Sequence, residues 1–541
     1  MASLLLLVAI VIFACIALNK ISSKLGIPML LAFILLGMFF GSDGVVKIPF
    51  DNYSFAEQIC SVALIFIMFY GGFGTNWKEA KPVAAKSILL STLGVVLTAG
   101  LVGLFCYFVL GFSLLESFLI GSVISSTDAA SVFSILRSKR LSLKYRTASM
   151  LELESGSNDP FSYMLTMIFI TLIRGKVSGV GFGYMIFAQI VYGLICGLLF
   201  AYAAAYLLRR IQFATEGFEI IFTVGVAIFA YALPTVIGGN GYLSTYIVGI
   251  VLGNVQIKHK KRLVHFFDGI TGLMQMLIFF LLGLLSFPSK LPQIAIPAFC
   301  IALFLTFVAR PLAVSLLLTP FRSKLSQQAM VSWSGLRGAA SIVFAIMAVM
   351  QTDTKTDIFH IVFFIVLFSI LLQGSLISIV AGKLNMIDED TDVMKTFTDY
   401  SNEVPVQFIQ FTLPSGHKWC ERELRNVTLP PDTLAALLIR DGKNVVPNGK
   451  TVLQVGDKLI LSAKTPETEN GVLLSEIQVE KEDSYVGKRL SDIPQKKNTL
   501  VIMIQRKERV IIPRGNVVLR EGDVLVIHHT DGALGHKKQK K

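Results

Sequence analysis

The chain has 541 residues, is 53% hydrophobic and only 16% charged, and carries a net charge of +13 with a mean hydropathy of +0.66. So little charge cannot cover a water-facing globule, which excludes an ordinary soluble enzyme and puts most of the chain in a bilayer. The positive excess lies in residues 1–383, with 26 Lys and Arg against 14 Asp and Glu, while residues 384–541 carry 23 against 22.

About thirteen apolar runs of membrane-spanning length fall between Ala2 and Lys383. The first, ASLLLLVAIVIFACIAL, lacks the basic flank and small-residue cleavage site of a signal peptide and reads as a first transmembrane helix. The six cysteines show no paired spacing and five lie in apolar runs, so they read as packing residues. With thirteen spans and the N-terminus outside, inner loops hold 18 Lys and Arg and outer loops 5. That asymmetry places the C-terminal region in the cytoplasm and makes KHKKR (258–262) a topology determinant rather than a nucleic-acid or lipid-specific site.

Three spans carry groups that a bilayer penalises by about 2.5–3.5 kcal/mol each, and such groups mark function. In LIGSVISSTDAASVFSIL (119–136) the Ser-Ser-Thr-Asp run competes with helix hydrogen bonds. Local unwinding would offer the Thr127 carbonyl as a cation ligand beside the Asp128 carboxylate; a hydroxyl-rich helix contact is the plainer alternative. In LELESGSNDPFSYMLTMIF (151–169), helical spacing puts Ser155 and Asp159 on one face with Glu154 and Asn158 beside it. Pro160 lacks an N–H, so an opening of the helix is expected there, freeing the Gly156 carbonyl. The donors are all oxygens, the type hard cations prefer; without His or Cys, zinc and copper are disfavoured.

The third span, MVSWSGLRGAASIVFAIM (330–347), is again broken, and its Arg337 needs an anion. Glu154 is the favoured partner, which would leave Asp159 free to exchange its ligand; Asp128 and Asp159 are the alternatives. Arg310, before Pro311, is left as a partner of helix ends. Broken helices in both halves of a membrane domain point to inverted repeats around a midplane site.

Residues 384–402 form an acidic linker whose DEDTD imitates an EF-hand start but lacks its glycine and final Glu. Beyond it NVVPNGKTVLQVGDKLILS (444–462) matches RVIIPRGNVVLREGDVLVIHH (509–529), with Gly449 and Gly515, Gly456 and Gly522, and Asp457 and Asp523 each 66 residues apart. Two copies of one small strand-rich module, over 403–466 and 467–531, are expected, followed by a basic tail at 532–541.

E-S-x-x-N-D at Glu154–Asp159, S-S-T-D ending at Asp128, YGG at 70–72, GGNGYLSTYIVGIVLGN at 238–254 and SGLRGAAS at 334–341 together resemble the NhaP-type cation:proton antiporters. The duplicated modules resemble the TrkA-C fold, and the combination resembles the potassium/proton branch. The resemblance implies a polytopic α-helical membrane protein with inverted repeats and broken helices, followed by a small α+β cytoplasmic region. It further implies a homodimer in the cytoplasmic membrane, with a six-helix core moving against a dimerisation bundle. Asp159 would bind cation or proton in turn. Asp128, the Thr127 carbonyl and Ser155 would complete the ion shell, Asn158 would orient it, and Glu154 with Arg337 would be the structural ion pair. No cofactor is implied. Some relatives carry a further acid on the third span, where ALIFIMFYGG (63–72) offers none.

A regulated potassium channel is disfavoured, because FTVGVAIF (222–229) lacks a GYG ending, and an intramembrane protease because there is no HExxH. K+ or Na+, exchanged against H+, stays open as the cation. The modules lack the GxGxxG of a nucleotide-binding Rossmann half. Cyclic di-AMP binding and simple dimerisation are their two readings, and Glu152 is unassigned between an access funnel and a solvated surface.

Overall fold

The computed structural model describes residues 2–388 apart from 26–27, 139–140, 176–178, 212–216 and 258–259. Beyond these it describes residues 406–529 apart from 428, 430–432, 441–442, 465–472, 480–482, 484, 494–498, 507–508, 512 and 514. Most of the acidic linker, Lys139, Arg140, Lys176, Lys258 and the basic tail therefore lie outside the described residues. The chain divides into two units, residues 1–402 and 403–541.

The first unit is helical throughout. In chain order it comprises α1 (Ala2–Leu25), α2 (Met29–Phe40), α3 (Tyr53–Gly74), α4 (Trp77–Phe108), α5 (Leu114–Val123), α6 (Ala129–Ser138), α7 (Thr147–Ile173) and α8 (Gly179–Arg210). These are followed by α9 (Phe218–Val236), α10 (Gly241–Asn254), α11 (Lys260–Leu285), α12 (Ile294–Phe321), α13 (Leu325–Trp333), α14 (Ala339–Gln351) and α15 (Ile358–Lys383). Among the described residues seven helices are long and apolar enough to cross a membrane, and four shorter apolar ones accompany them. Of the others, α7 has 27 residues, about 40 Å of helix at 1.5 Å per residue, but carries Glu152, Glu154 and Asp159. Counting α5 with α6 and α13 with α14 as single interrupted elements, the fifteen segments make thirteen units, as many as the apolar runs of the sequence.

Capping residues set several boundaries. Asn52, Ser113, Asn240 and Asp357 each accept a hydrogen bond from a backbone N–H in the first turn of the following helix. Where the YGG and GGNGY motifs meet, α3 and α10 cross backbone to backbone. A Cβ on Gly72 would lie 2.3 Å from the Tyr246 carbonyl oxygen, and one on Gly249 would lie 2.2 Å from that of Phe69. Without a hydrophobic drive between helices in lipid, such small-residue crossings supply the packing.

The second unit holds two four-stranded antiparallel sheets. The first orders its strands β1 (Val406–Thr412), β4 (Lys458–Lys464), β2 (Thr433–Arg440), β3 (Lys443–Val445). The second repeats the order with β5 (Leu473–Gln478), β8 (Val524–His529), β6 (Thr499–Arg506), β7 (Arg509–Ile511). The register shift between Ala435 and Leu437 recurs between Val501 and Met503, 66 residues on. Among the described residues of this unit, helix is confined to 3-10 turns such as Leu424–Asn426 and Leu490–Asp492.

Each module has the same staple, a buried aspartate held by a partly exposed arginine. Arg440 donates from Nε and Nη2 to the two Asp457 carboxylate oxygens at 2.8 and 2.7 Å and from Nη2 to the Val452 carbonyl at 2.7 Å. Arg506 makes the same three bonds to Asp523 and Val518 at 2.8, 2.8 and 2.7 Å. The sequence repeat marked the aspartates; their arginine partners, at the same offset, escaped it because they lie in strands outside the matched stretch.

Candidate ion-binding site

Residues 124–128 between α5 and α6 and residues 334–338 between α13 and α14 are both non-helical, and they cross. The Asp128 N–H donates to the Leu336 carbonyl at 2.8 Å, Arg337 Nη1 donates to the Ser126 carbonyl at 2.7 Å, and the Ser126 and Ser341 hydroxyl oxygens lie 3.5 Å apart. Four helix ends meet here, which explains the charges. Asp128 caps α6, accepting from the Ser131 N–H at 3.2 Å and from the Ser131 hydroxyl, beside the N-terminus of α14. Arg337 is turned instead toward a carbonyl released by the end of α5. An offset of 210 residues maps Thr127 onto Arg337 and Asp128 onto Gly338, as inverted repeats would.

The helices flanking the crossing share a second feature. α4 and α12, each ahead of a broken pass, contain π-helical turns at Leu90–Gly94 and Leu305–Ala309. α15 has a third at Ser369–Gly374, where Ser369 accepts from the Arg337 N–H at 3.1 Å. Single π turns inside helices gather at functional sites.

Helix α7 grips the first break. Asn158 Nδ2 donates to the Thr127 hydroxyl at 2.6 Å while its Oδ1 accepts from the Thr127 N–H at 3.3 Å, and the Ser155 hydroxyl donates to the Thr127 carbonyl at 2.7 Å. Farther along, the Ser162 hydroxyl donates to the Ser122 carbonyl at 2.6 Å. Asp159 is 7% exposed, and its Oδ1 makes no hydrogen bond. The structure thus brings Thr127, Asp128, Ser155, Asn158 and Asp159 to one place. Just before Asp159, Ser155, Gly156 and Ser157 keep partial exposure, as does Glu152 a turn earlier, although residues 147–151 at the helix start are buried; just past Asp159, Pro160, Ser162, Tyr163 and Met164 are buried. There the Tyr163 ring centroid lies 5.0 Å from that of Tyr242 and 5.8 Å from that of Phe344, and the Tyr231 ring packs against Tyr242 at 4.8 Å, tilted by 51°.

Three expectations need correction. Glu154, fully buried, pairs with Arg310 Nη2, not with Arg337. Arg310 follows the π turn of α12 and lies against Gly335, whose Cβ would stand 3.0 Å from its Nε, so it reaches α7 across the second break, while Arg337 is occupied by the crossing itself. Charge type alone could not choose between two arginines in broken or bulged passes.

At Pro160 the helix does not open. α7 runs continuously from Thr147 to Ile173, and the Pro160 carbonyl accepts from Asn240 Nδ2 at 2.8 Å, since neighbouring helices accommodate a proline inside a membrane bundle.

The third span is also not free of acid. α3 begins ten residues before the ALIFIMFYGG stretch and contains Glu57, whose Oε1 accepts from the Ser61 hydroxyl at 3.2 Å. A hydropathy scan that starts at the continuous apolar run misses it.

Residues 8–383 match the family described as sodium/hydrogen exchanger, transmembrane, and residues 408–469 and 474–533 each match the TrkA-C domain. The chain is 34% identical over 468 residues to the K(+)/H(+) antiporter NhaP of Alkalimonas amylolytica, covering 85% of this chain and 81% of that one. It is 33% identical over 465 residues to the K(+)/H(+) antiporter NhaP2 of Shewanella baltica (strain OS223), covering 84% and 80%. The fold resembles that of the sodium proton antiporter MjNhaP1 from Methanocaldococcus jannaschii, with a TM-score of 0.62 and 23% identity over 70% of this chain and 99% of that one.

Proposed function

This chain belongs to the sodium/hydrogen exchanger family, and on that premise we propose that it exchanges a monovalent cation, K+ before Na+, for H+ by alternating access, each carried in turn on Asp159. The observation that carries the site assignment is the buried, unpartnered Oδ1 of Asp159 beside the crossing of two unwound segments. A carboxylate in a dry interior must be neutralised, either by a proton or by a bound cation. Both claim the same oxygen, so they compete. If only the neutralised site crosses the barrier between the two faces, exchange is obligatory.

The other oxygens have distinct parts. Asp128 is held by its own helix N-terminus and supplies the second carboxylate. The Thr127 carbonyl, though it accepts from Ser155, keeps a second lone pair for a cation. Asn158 fixes Thr127 by two bonds and so positions that carbonyl. Glu154 with Arg310 anchors α7 to α12, close to the ion site but not in it.

With the N-terminus outside, as the Lys and Arg asymmetry supports, the partly exposed stretch of α7 at residues 155–157 lies on the cytoplasmic side of Asp159, and the rings of Tyr163, Tyr242, Phe344 and Tyr231 lie on the outer side. We place the chain in the cytoplasmic membrane as a homodimer, with the C-terminal modules inside the cell as regulators and cyclic di-AMP as the candidate ligand. The favoured cation follows from the K(+)/H(+) antiporter names of the relatives similar over most of the chain, together with the two TrkA-C modules. Dye-quench recording of pH in everted vesicles, with K+ and then Na+ added, tests the reading. Dequenching by K+ at lower concentration than by Na+ is expected, and no response to either cation rejects it.

A further inference from the structure

Helix α10 meets its neighbours in two different ways. Against α3 and α8 it lies backbone to backbone. Beside the Gly72 and Gly249 contacts, a Cβ on Gly253 would stand 2.2 Å from the Phe73 carbonyl oxygen, one on Gly193 2.9 Å from the Asn240 carbonyl oxygen, and one on Gly197 3.0 Å from the Ser244 Cα. Such contacts leave no slack, so α3, α8 and α10 form one block. Against α7, which grips the first break through Thr127 and Ser122, side chains stand between the two backbones. The Tyr246 ring covers Gly156, where a Cβ would be 2.5 Å from it, and the Tyr242 ring meets that of Tyr163 edge-on at 5.0 Å. Apolar contact of this kind is non-directional, so α7 can slide on it at little cost.

A directional contact joins the two helices as well. Asn240 Nδ2 donates to the Pro160 carbonyl at 2.8 Å, one residue past Asp159, where Asn240 is 2% exposed and Pro160 is buried. The rest of Asn240 is committed to the block. Its Oδ1 accepts from the Leu243 N–H at 3.0 Å and caps α10, its N–H donates to the Gln189 carbonyl of α8 at 3.2 Å, and its carbonyl accepts from the Ser244 N–H at 3.1 Å. Gly238, at φ +84°, makes the turn from α9 that delivers the asparagine to this place. With the rotamer fixed by the cap bond, Nδ2 is the part of the side chain left to reach α7.

We infer that Asn240 is a positioning residue for Asp159: its bond to the Pro160 carbonyl latches α7 to the block of α3, α8 and α10, and the latch releases when Asp159 changes sides. The inference rests on the antiport reading above. A slide of α7 by half a helical turn, roughly 2.7 Å, takes donor and acceptor beyond hydrogen-bond reach while the rings stay in contact. In the latched state residues 155–157 are partly exposed and the residues just past Asp159 are buried, so with the N-terminus outside the latch favours the cytoplasm-facing form. The GGNGY motif thereby gains a part in the transport cycle.

The test uses two variants. Asn240→Ser keeps an oxygen for the cap but is too short to reach Pro160, and Asn240→Asp keeps shape and cap while offering α7 an acceptor in place of the donor. The KM for K+ is measured in everted vesicles, which present the cytoplasmic face, and in right-side-out vesicles. Losing the latch shifts the population toward the outward-facing form, so the ratio of the inner to the outer KM should rise about two- to tenfold, the range that one hydrogen bond covers. An unchanged ratio, whether neither KM moves or both move equally, would overturn the latch and leave Asn240 a helix cap. If wild type exchanges neither K+ nor Na+, the antiport reading fails. Hydrogen exchange of the purified full-length proteins then judges the latch, as it does if both variants are inactive. Faster exchange in α7 beyond Pro160 as well as in the first turn of α10 supports it, and acceleration confined to residues 241–244, or none, rejects it.

Discussion

Gly338 stands against Asp128 so closely that a Cβ on it would lie 2.2 Å from the carboxylate Oδ2 and 2.6 Å from the Asp128 Cβ. The two repeats are alike in backbone at this crossing and unlike in chemistry: one supplies an acid where the other supplies no side chain. Gly338→Ala should therefore displace Asp128 rather than merely crowd a helix, with an overpacking cost of about 1–3 kcal/mol. Exchange measured in vesicles should fall at least tenfold, with a lower thermal midpoint in detergent. Wild-type exchange in this variant would show that Asp128 need not hold its position.

Asp159→Asn removes the only charge the mechanism exchanges and keeps the shape. Cation-driven proton movement should be lost, while thermal unfolding of the purified protein shifts by only a few degrees, because Oδ1 makes no hydrogen bond to lose. Substantial remaining exchange would move the carrier role to Asp128.

Glu154 and Arg310 are both almost fully buried, at 0% and 3% exposure. Removing one partner of such a pair strands the other charge and costs about 3–5 kcal/mol. Glu154→Gln and Arg310→Met should each destabilise strongly, and the double variant should be less damaged than their sum. The coupling with Arg310 should exceed that of the same cycle run with Arg337→Met, because Arg337 spends its Nη1 on the Ser126 carbonyl. A larger coupling to Arg337 would restore the pairing expected from sequence.

The residues that announced themselves did so through local chemistry. Ser-Ser-Thr-Asp and Ser-Gly-Leu-Arg-Gly cannot keep a helix going in lipid, and the structure unwinds at both. The 66-residue offset of the Gly-Asp turns carried over to strand order and even to the register shift. What sequence could not carry was choice among equivalent partners. Arg310 and Arg337 are the same residue type in comparable passes, and only the path of α12 beside Gly335 separates them. Pro160 looked like a break because its lost N–H is local information, whereas α7 continues unbroken through it among neighbouring helices that include Asn240. Glu57 was hidden because a helix in a membrane bundle begins where its cap lies, at Asn52, not where its apolar run starts.

The cytoplasmic modules give a prediction in pH. Hydrogen bonds from Arg440, joined by one from the Gln454 N–H at 2.8 Å, hold the Asp457 carboxyl below its ordinary 3.8. At Asp523 burial pushes upward but is outweighed by Arg506 and the Arg520 N–H, and the carboxyl again lies below 3.8. A carboxyl that is more acidic folded than unfolded stabilises the fold fully above the unfolded value and loses that contribution as pH falls through the folded one. Hydrogen exchange of the strands at 406–464 and 473–529 in the whole protein, corrected for intrinsic rate, should therefore be flat from about pH 5 to 9 and rise only below about pH 4. Asp457→Asn should raise exchange in the first module at every pH and leave the second unchanged, and Asp523→Asn should do the converse. Loss of protection between pH 5 and 7 would mean that some other group, not the Arg–Asp staple, governs the stability of the modules.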